Sequence, residues 1–169
     1  MPASIISHRQ TYRFQVKPEE LWERIEEVDQ FERWWPWLSE FWLEGSGIEA
    51  GTILHGVVTP PLPYRMRLQI ELVEAVRPKA VDAVIGGDLR GQATLRLHAD
   101  GEATRAEAAW EVEMLRPSMR LASRIGRPLL QWGHDRVVET TVSGFRRRIE
   151  PPLVQSGHGQ SGSHKYHSP

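Results

Sequence analysis

Cysteine is absent from this sequence. That removes a disulfide framework, a thiolate nucleophile and any Cys-based metal site. An excess of one charge is also lacking: 21 Lys plus Arg stand against 22 Asp plus Glu, for a formal net charge of −1. No global field therefore draws the chain towards nucleic acid or anionic lipid. Long hydrophobic runs are missing too, since none approaches the ~18–20 residues that span a bilayer. The opening residues, Met1-Pro2-Ala3-Ser4-Ile5-Ile6-Ser7-His8-Arg9, lack the basic start and apolar core of a signal peptide. These absences predict a soluble cytoplasmic protein with no nucleic-acid partner and no stable membrane insertion. Catalytic signatures are equally sparse. There is no G-x-S-x-G, no P-loop, no H-E-x-x-H and no G-x-G-x-x-G that opens a helix after a strand. No cofactor is predicted.

What is present is an ordinary globular composition with one unusual feature. The 169 residues fit a single domain, a size that hides roughly two-thirds of the surface its unfolded chain exposes. Seven of them are Trp, and Trp34, Trp35, Trp37 and Trp42 fall close together. Each indole brings a large apolar area and one N–H that wants a partner, so the cluster predicts a heavy core or a pocket wall.

Along the chain, Ile6, His8, Tyr12, Phe14 and Val16 share one parity, which predicts a half-buried strand. Lys17-Pro18-Glu19-Glu20 then opens a short helix, with Leu21, Trp22, Ile25 and Val28 at helical spacing. A second helical piece near Asp29–Trp35 ends before Pro36. Strands follow at Glu40–Glu44, Thr52–Thr59, Tyr64–Leu72, Ala80–Ile85, Leu89–His98 and Thr104–Met114. Gly86-Gly87-Asp88 and Asp100-Gly101 are hairpin signals. After Arg116-Pro117 the pattern is helical to about Ile149. Its first apolar stripe (Leu121, Ile125, Leu129, Trp132) lies nearly opposite its second (Val138, Thr141, Val142, Phe145, Ile149). Gly126, Pro128 and Gly133 sit between them and predict a kink, or a short helix followed by the main one. Residues 151–169 are rich in Gly, Ser, His and Pro and read as a disordered tail behind a domain over 1–150.

Strands bunched between helices predict an α+β fold: a curved antiparallel sheet of about seven strands around a long C-terminal helix. The order and several local sequences resemble the START-like superfamily (SRPBCC, or helix-grip), and within it the polyketide cyclase/dehydrase and lipid-transport members. The segments that carry the likeness are Val16-Lys17-Pro18-Glu19-Glu20-Leu21-Trp22, Asp29-Gln30-Phe31-Glu32-Arg33-Trp34-Trp35-Pro36, and Trp132-Gly133-His134-Asp135 leading to Gly144-Phe145-Arg146-Arg147. In many relatives Asn stands where this chain has Gly133. The resemblance implies a helix-grip fold with an internal cavity but names no ligand.

Interior parity or stripe position nominates Trp34, Trp35, Trp37, Met66, Leu68, Trp110, Met114, Ile125, Leu129 and Trp132 as cavity wall. His134, beside Asp135, is the candidate acid or base, with His55 second because it shares the parity of Ile53 and Val57. Tyr64 is the candidate donor to an oxyanion. His8 shares the apolar parity of the first strand but has less to recommend it. Arg65 and Arg67 lie opposite the apolar parity and should be solvated. The scattered histidines have no metal-ligand spacing, and His158, His164 and His167 belong to the tail.

Three functions compete. The first is binding or transport of a small lipid-like or polyketide-like molecule between sheet and helix. The second is an enzyme that cyclises or dehydrates a polyketone with a cavity histidine. The third is a fully packed interaction domain that presents exposed Trp to a partner. The sequence leaves the oligomeric state open.

Overall fold

The computed structural model describes residues 5–117 and 127–150, with backbone alone for 127–130. Strand β1 (Ile5–Phe14) leads into helix α1 (Pro18–Glu26), a 3-10 turn (Val28–Gln30) and helix α2 (Phe31–Trp34). Six strands follow: β2 (Leu38–Glu44), β3 (Ile53–Val58), β4 (Met66–Val76), β5 (Ala80–Gly87), β6 (Leu89–Asp100) and β7 (Ala103–Met114). Helix α3 (Arg127–Ile149) completes the described chain. The seven strands form one sheet in the order β1-β7-β6-β5-β4-β3-β2, every neighbour antiparallel. This is the helix-grip α+β fold. Among the described residues no helix is long and apolar enough to cross a membrane.

The local chemistry accounts for the boundaries. Pro18 occupies the first turn of α1, where its missing N–H needs no partner, and Glu19 and Glu20 face the positive end of the helix dipole. The β6–β7 hairpin turns on Gly101-Glu102, one position later than the sequence signal, because Asp100 still pairs with Ala103. Gly91 on β6 permits a close approach to β7: a Cβ there would collide with the Glu111 carbonyl oxygen.

The β5–β6 corner is tied by Asp88. Its carboxylate accepts the Arg67 backbone N–H at 2.7 Å and the Arg116 Nε–H at 2.6 Å. Its own N–H donates to the Arg67 carbonyl at 2.9 Å, and its carbonyl accepts from the Leu115 N–H at 3.1 Å. One residue thus joins β4, the corner and the exit of β7.

Two apolar clusters form within the grip. Phe14, Leu21, Trp22, Leu97, Ala106 and Ile149 close one end, where α1 and the C-terminus of α3 meet β1, β6 and β7. Ile85, Leu89, Val112 and Met114 form the other cluster, on the inner face of the sheet. Of the two expectations for this stretch, the kink does not fall at Gly133, because α3 runs unbroken from Arg127 to Ile149, while a short preceding helix would fall largely on 118–126, outside the described residues. Pro128 sits in its first turn, where a proline is tolerated. Gly126 lies outside the described residues, as do residues 151–169, on which the tail was read.

Candidate functional site

Sheet and helix do not meet over the whole of their facing surfaces. Between them lies a cavity of about 480 Å³, within the ~300–1,000 Å³ range of small-molecule sites. Its sheet wall comes from alternate residues of successive strands: Ile6, Leu54, Val58, Met66, Leu68, Ile70, Ile85, Leu89, Ala93, Trp110, Val112 and Met114. The helix contributes His134, Val137, Val138, Thr141 and Val142. Phe31, Trp35, Trp37 and Phe41, from α2 and the start of β2, close one side. Trp35 and Trp37 stack at 5.6 Å with 11° between their planes, and Trp35 Nε1 donates to the Thr141 carbonyl at 3.1 Å. That bond pins the aromatic side to α3. No Lys, Arg, Asp or Glu borders the cavity among the described residues.

Polar chemistry gathers where β1, β7 and α3 converge. His8 and Trp110 are directly opposite in the β1–β7 register, and their rings stack at 4.1 Å with 20° between planes. Trp110 Nε1 donates to His134 Nε2 at 3.1 Å, and His134 Nδ1 lies 3.3 Å from Asp135 Oδ1. An indole N–H only donates, so His134 must offer a lone pair at Nε2 and carry its proton on Nδ1, where Asp135 accepts it. Both ring nitrogens are therefore engaged. His8 Nε2 is 3.3 Å from the Tyr12 hydroxyl, and the two imidazole centroids are 5.4 Å apart. Burial holds the His8 pKa below its ordinary value, the neighbouring His134 adds to the depression, and Asp135 opposes it. Burial raises the pKa of both Tyr12 and Tyr64, so each keeps its phenolic proton. Among the described residues no group of three His, Asp or Glu could hold a metal ion.

Of the residues nominated from sequence, Trp35, Trp37, Met66, Leu68, Trp110 and Met114 border the cavity, together with Tyr64 and His134. Ile125 and the side chain of Leu129 lie outside the described residues. Three nominations need correction. Trp34 is 7% exposed and packs between Phe31 and Phe145, so it belongs to the core and not to the cavity wall. Trp132 is 52% exposed; it precedes His134 by two residues, or about 200° around the helix, and so faces away. The second stripe of the sequence pattern is the inward one.

His55 is the third. It borders the cavity, but its imidazole stacks on Trp42 at 3.8 Å with 4° between planes, and its Nε2 is 3.3 Å from Glu44 Oε2. In register it pairs with Gln69, flanked by the Val57–Arg67 and Ile53–Glu71 pairs. Directly opposed residues share a face, so His55 sits on the outer face of the sheet with the solvated side chains of β4.

Sequence reasoning undervalued His8 and passed over Tyr12 as a polar group. Their shared parity was visible, whereas the β1–β7 register that sets His8 against Trp110 was not.

A curved sheet gripping one helix over an apolar cavity defines the class: a protein with the helix-grip, START-like fold. The chain belongs to the polyketide cyclase/dehydrase and lipid transport family, which matches residues 6–150. No curated protein matches it. Among solved structures it is similar to a protein of Thermus thermophilus, at TM-score 0.71 and 18% identity over 85% of this chain and 97% of that one. It is also similar to a START superfamily protein of Mycobacterium smegmatis, at TM-score 0.65 and 12% identity over 85% and 97%. A third likeness is to the Zhui aromatase/cyclase of Streptomyces sp. R1128, at TM-score 0.67 and 11% identity over 90% and 98%. At these identities the likeness shows the fold.

Proposed function

We propose that the protein binds, and carries between sites, a small hydrophobic molecule held inside the grip. The observation that carries this reading is the cavity itself: about 480 Å³ bordered by aliphatic and aromatic side chains from the sheet, α2 and α3. At ~25 cal/mol per Å², hiding ~300 Å² of apolar ligand surface contributes roughly 7–8 kcal/mol before ordering costs. Micromolar affinity corresponds to about 8 kcal/mol, so burial is a gross term of the size such binding draws on, with no catalytic group required. The test is native mass spectrometry of freshly purified protein, paired with uptake of the neutral dye Nile red. A co-purifying apolar mass, or saturable dye uptake, is the expected result. Absence of both would remove the reading.

Ring closure or dehydration of a polyketone is the second reading, favoured by His134 and Tyr64 at the cavity wall. It requires His134 to release the Trp110 indole before its Nε2 takes a proton, since that lone pair is engaged. Turnover of a polyketone that is lost in His134→Phe but kept in His55→Ala would support it. Equal rates in His134→Phe and the parent protein would exclude it.

A further inference from the structure

The charge of the ligand follows from what the wall offers. We propose that the bound molecule is an uncharged hydrophobe bearing a hydroxyl or carbonyl group, and that alkyl carboxylates and ammonium ions are rejected from the interior. This rests on the binding reading above. A carboxylate taken from water into an apolar site costs several kcal/mol unless a cation or several N–H donors meet it.

The cavity supplies neither. No Lys, Arg, Asp or Glu side chain borders it among the described residues. The arginines nearest the grip are held outside it by carboxylates: Arg65 and Arg67 by Glu40 at 2.8 and 3.2 Å, Arg96 by Asp82 at 2.7 Å, Arg13 by Asp100 at 2.8 Å. The strand N–H groups along the wall are committed to the ladders.

The imidazoles at this end of the grip are engaged with their neighbours. His134 receives the Trp110 N–H on Nε2, an arrangement that a second ring proton would break. His8 is pressed on Trp110 and beside His134, and burial favours its neutral form. An ammonium head would likewise find no carboxylate, because Asp135 lies on the far side of the His134 ring and is 60% exposed. What remains are two protonated phenols, Tyr12 and Tyr64, and the unpartnered indole N–H of Trp37, a single neutral donor that falls short of what a carboxylate needs. A phenol both donates and accepts, which suits an alcohol or a ketone.

The experiment uses four competitors with the same twelve-carbon chain against Nile red bound to the full chain: dodecanol, dodecanone, laurate and dodecylamine. All are kept below micelle-forming concentrations near neutral pH. Dodecanol and dodecanone should displace the dye at least about tenfold more effectively than laurate and dodecylamine, given the penalty for an unpaired buried charge. A smaller gap, or a stronger charged competitor, overturns the proposal and leaves the cavity reading standing. Failure of both neutral compounds to displace bound dye also overturns it. No dye uptake at all removes the cavity reading and this proposal together.

Discussion

His8 shows how much one side chain depends on the register around it. Taken alone it is a histidine on the apolar parity of an edge strand; in place it lies flat on Trp110, 5.4 Å from the centroid of a second imidazole. Its folded pKa is lowered, chiefly by burial. The folded protein therefore binds fewer protons than the unfolded chain once pH falls below the ordinary histidine value of about 6.5. His8 contributes its full stabilisation above that pH and loses it as pH drops through the lowered folded value. Urea midpoints measured from about pH 7 to pH 5 should fall for the parent protein and fall less steeply for His8→Phe, which keeps a stacking ring without the titration. Parallel curves would show that His8 does not titrate as described. His134→Phe differs in kind, because it strands the Trp110 N–H away from its acceptor. The expected loss is about 1–3 kcal/mol in chemical unfolding, the range for a buried donor left without a partner.

At the scale of elements, the strands were legible because most alternate and are bounded by turn signals, and the structure places every one within a few residues of its expected bounds. Two things were not legible, for a shared reason. Ile53, Val57 and Leu54, Val58 make β3 apolar on both parities, so its own sequence could not say which faced inward. Only its pairing with Arg67, Gln69 and Glu71 on β4 decides that, and it turns His55 outward. In α3 the pattern offers two stripes almost opposite one another, and what selects the second is contact with the sheet. Gly133 matters here. A Cβ on it would stand 2.5 Å from Leu62 Cδ1, so glycine is what lets the β3–β4 loop rest on α3 beside His134. Gly133→Ala should push that loop away and speed release of bound dye by several-fold in stopped-flow measurements, while Trp132→Ala, on the exposed side, should leave release unchanged. The Asp88 corner offers a separate check on element joining. Asp88→Ala removes a charge-assisted bond and a backbone bond at once, and a loss of about 2–3 kcal/mol is expected from interactions of this type. Asp88→Asn, which can still accept the Arg67 N–H, should recover part of it.

For the whole molecule, an interior that leaves about 480 Å³ unfilled sets ligand binding against stability. Side chains around a void forfeit packing contacts that a filled core would have, and here the cluster of Ile85, Leu89, Val112 and Met114 is itself part of the cavity wall. A ligand that occupies the space restores those contacts. At one hundred times its dissociation constant it adds about 2.7 kcal/mol, which for a domain near this size raises Tm by roughly 5–10 °C. Filling the space covalently should imitate the ligand. Ala93 borders the cavity opposite Trp110 in the β6–β7 register, so Ala93→Phe projects a ring into the void. The variant should unfold at a higher temperature than the empty parent, yet show almost no further rise when dodecanol is added. An Ala93→Phe protein that is less stable and still responds fully to ligand would mean that the space beside Trp110 is not where the molecule sits.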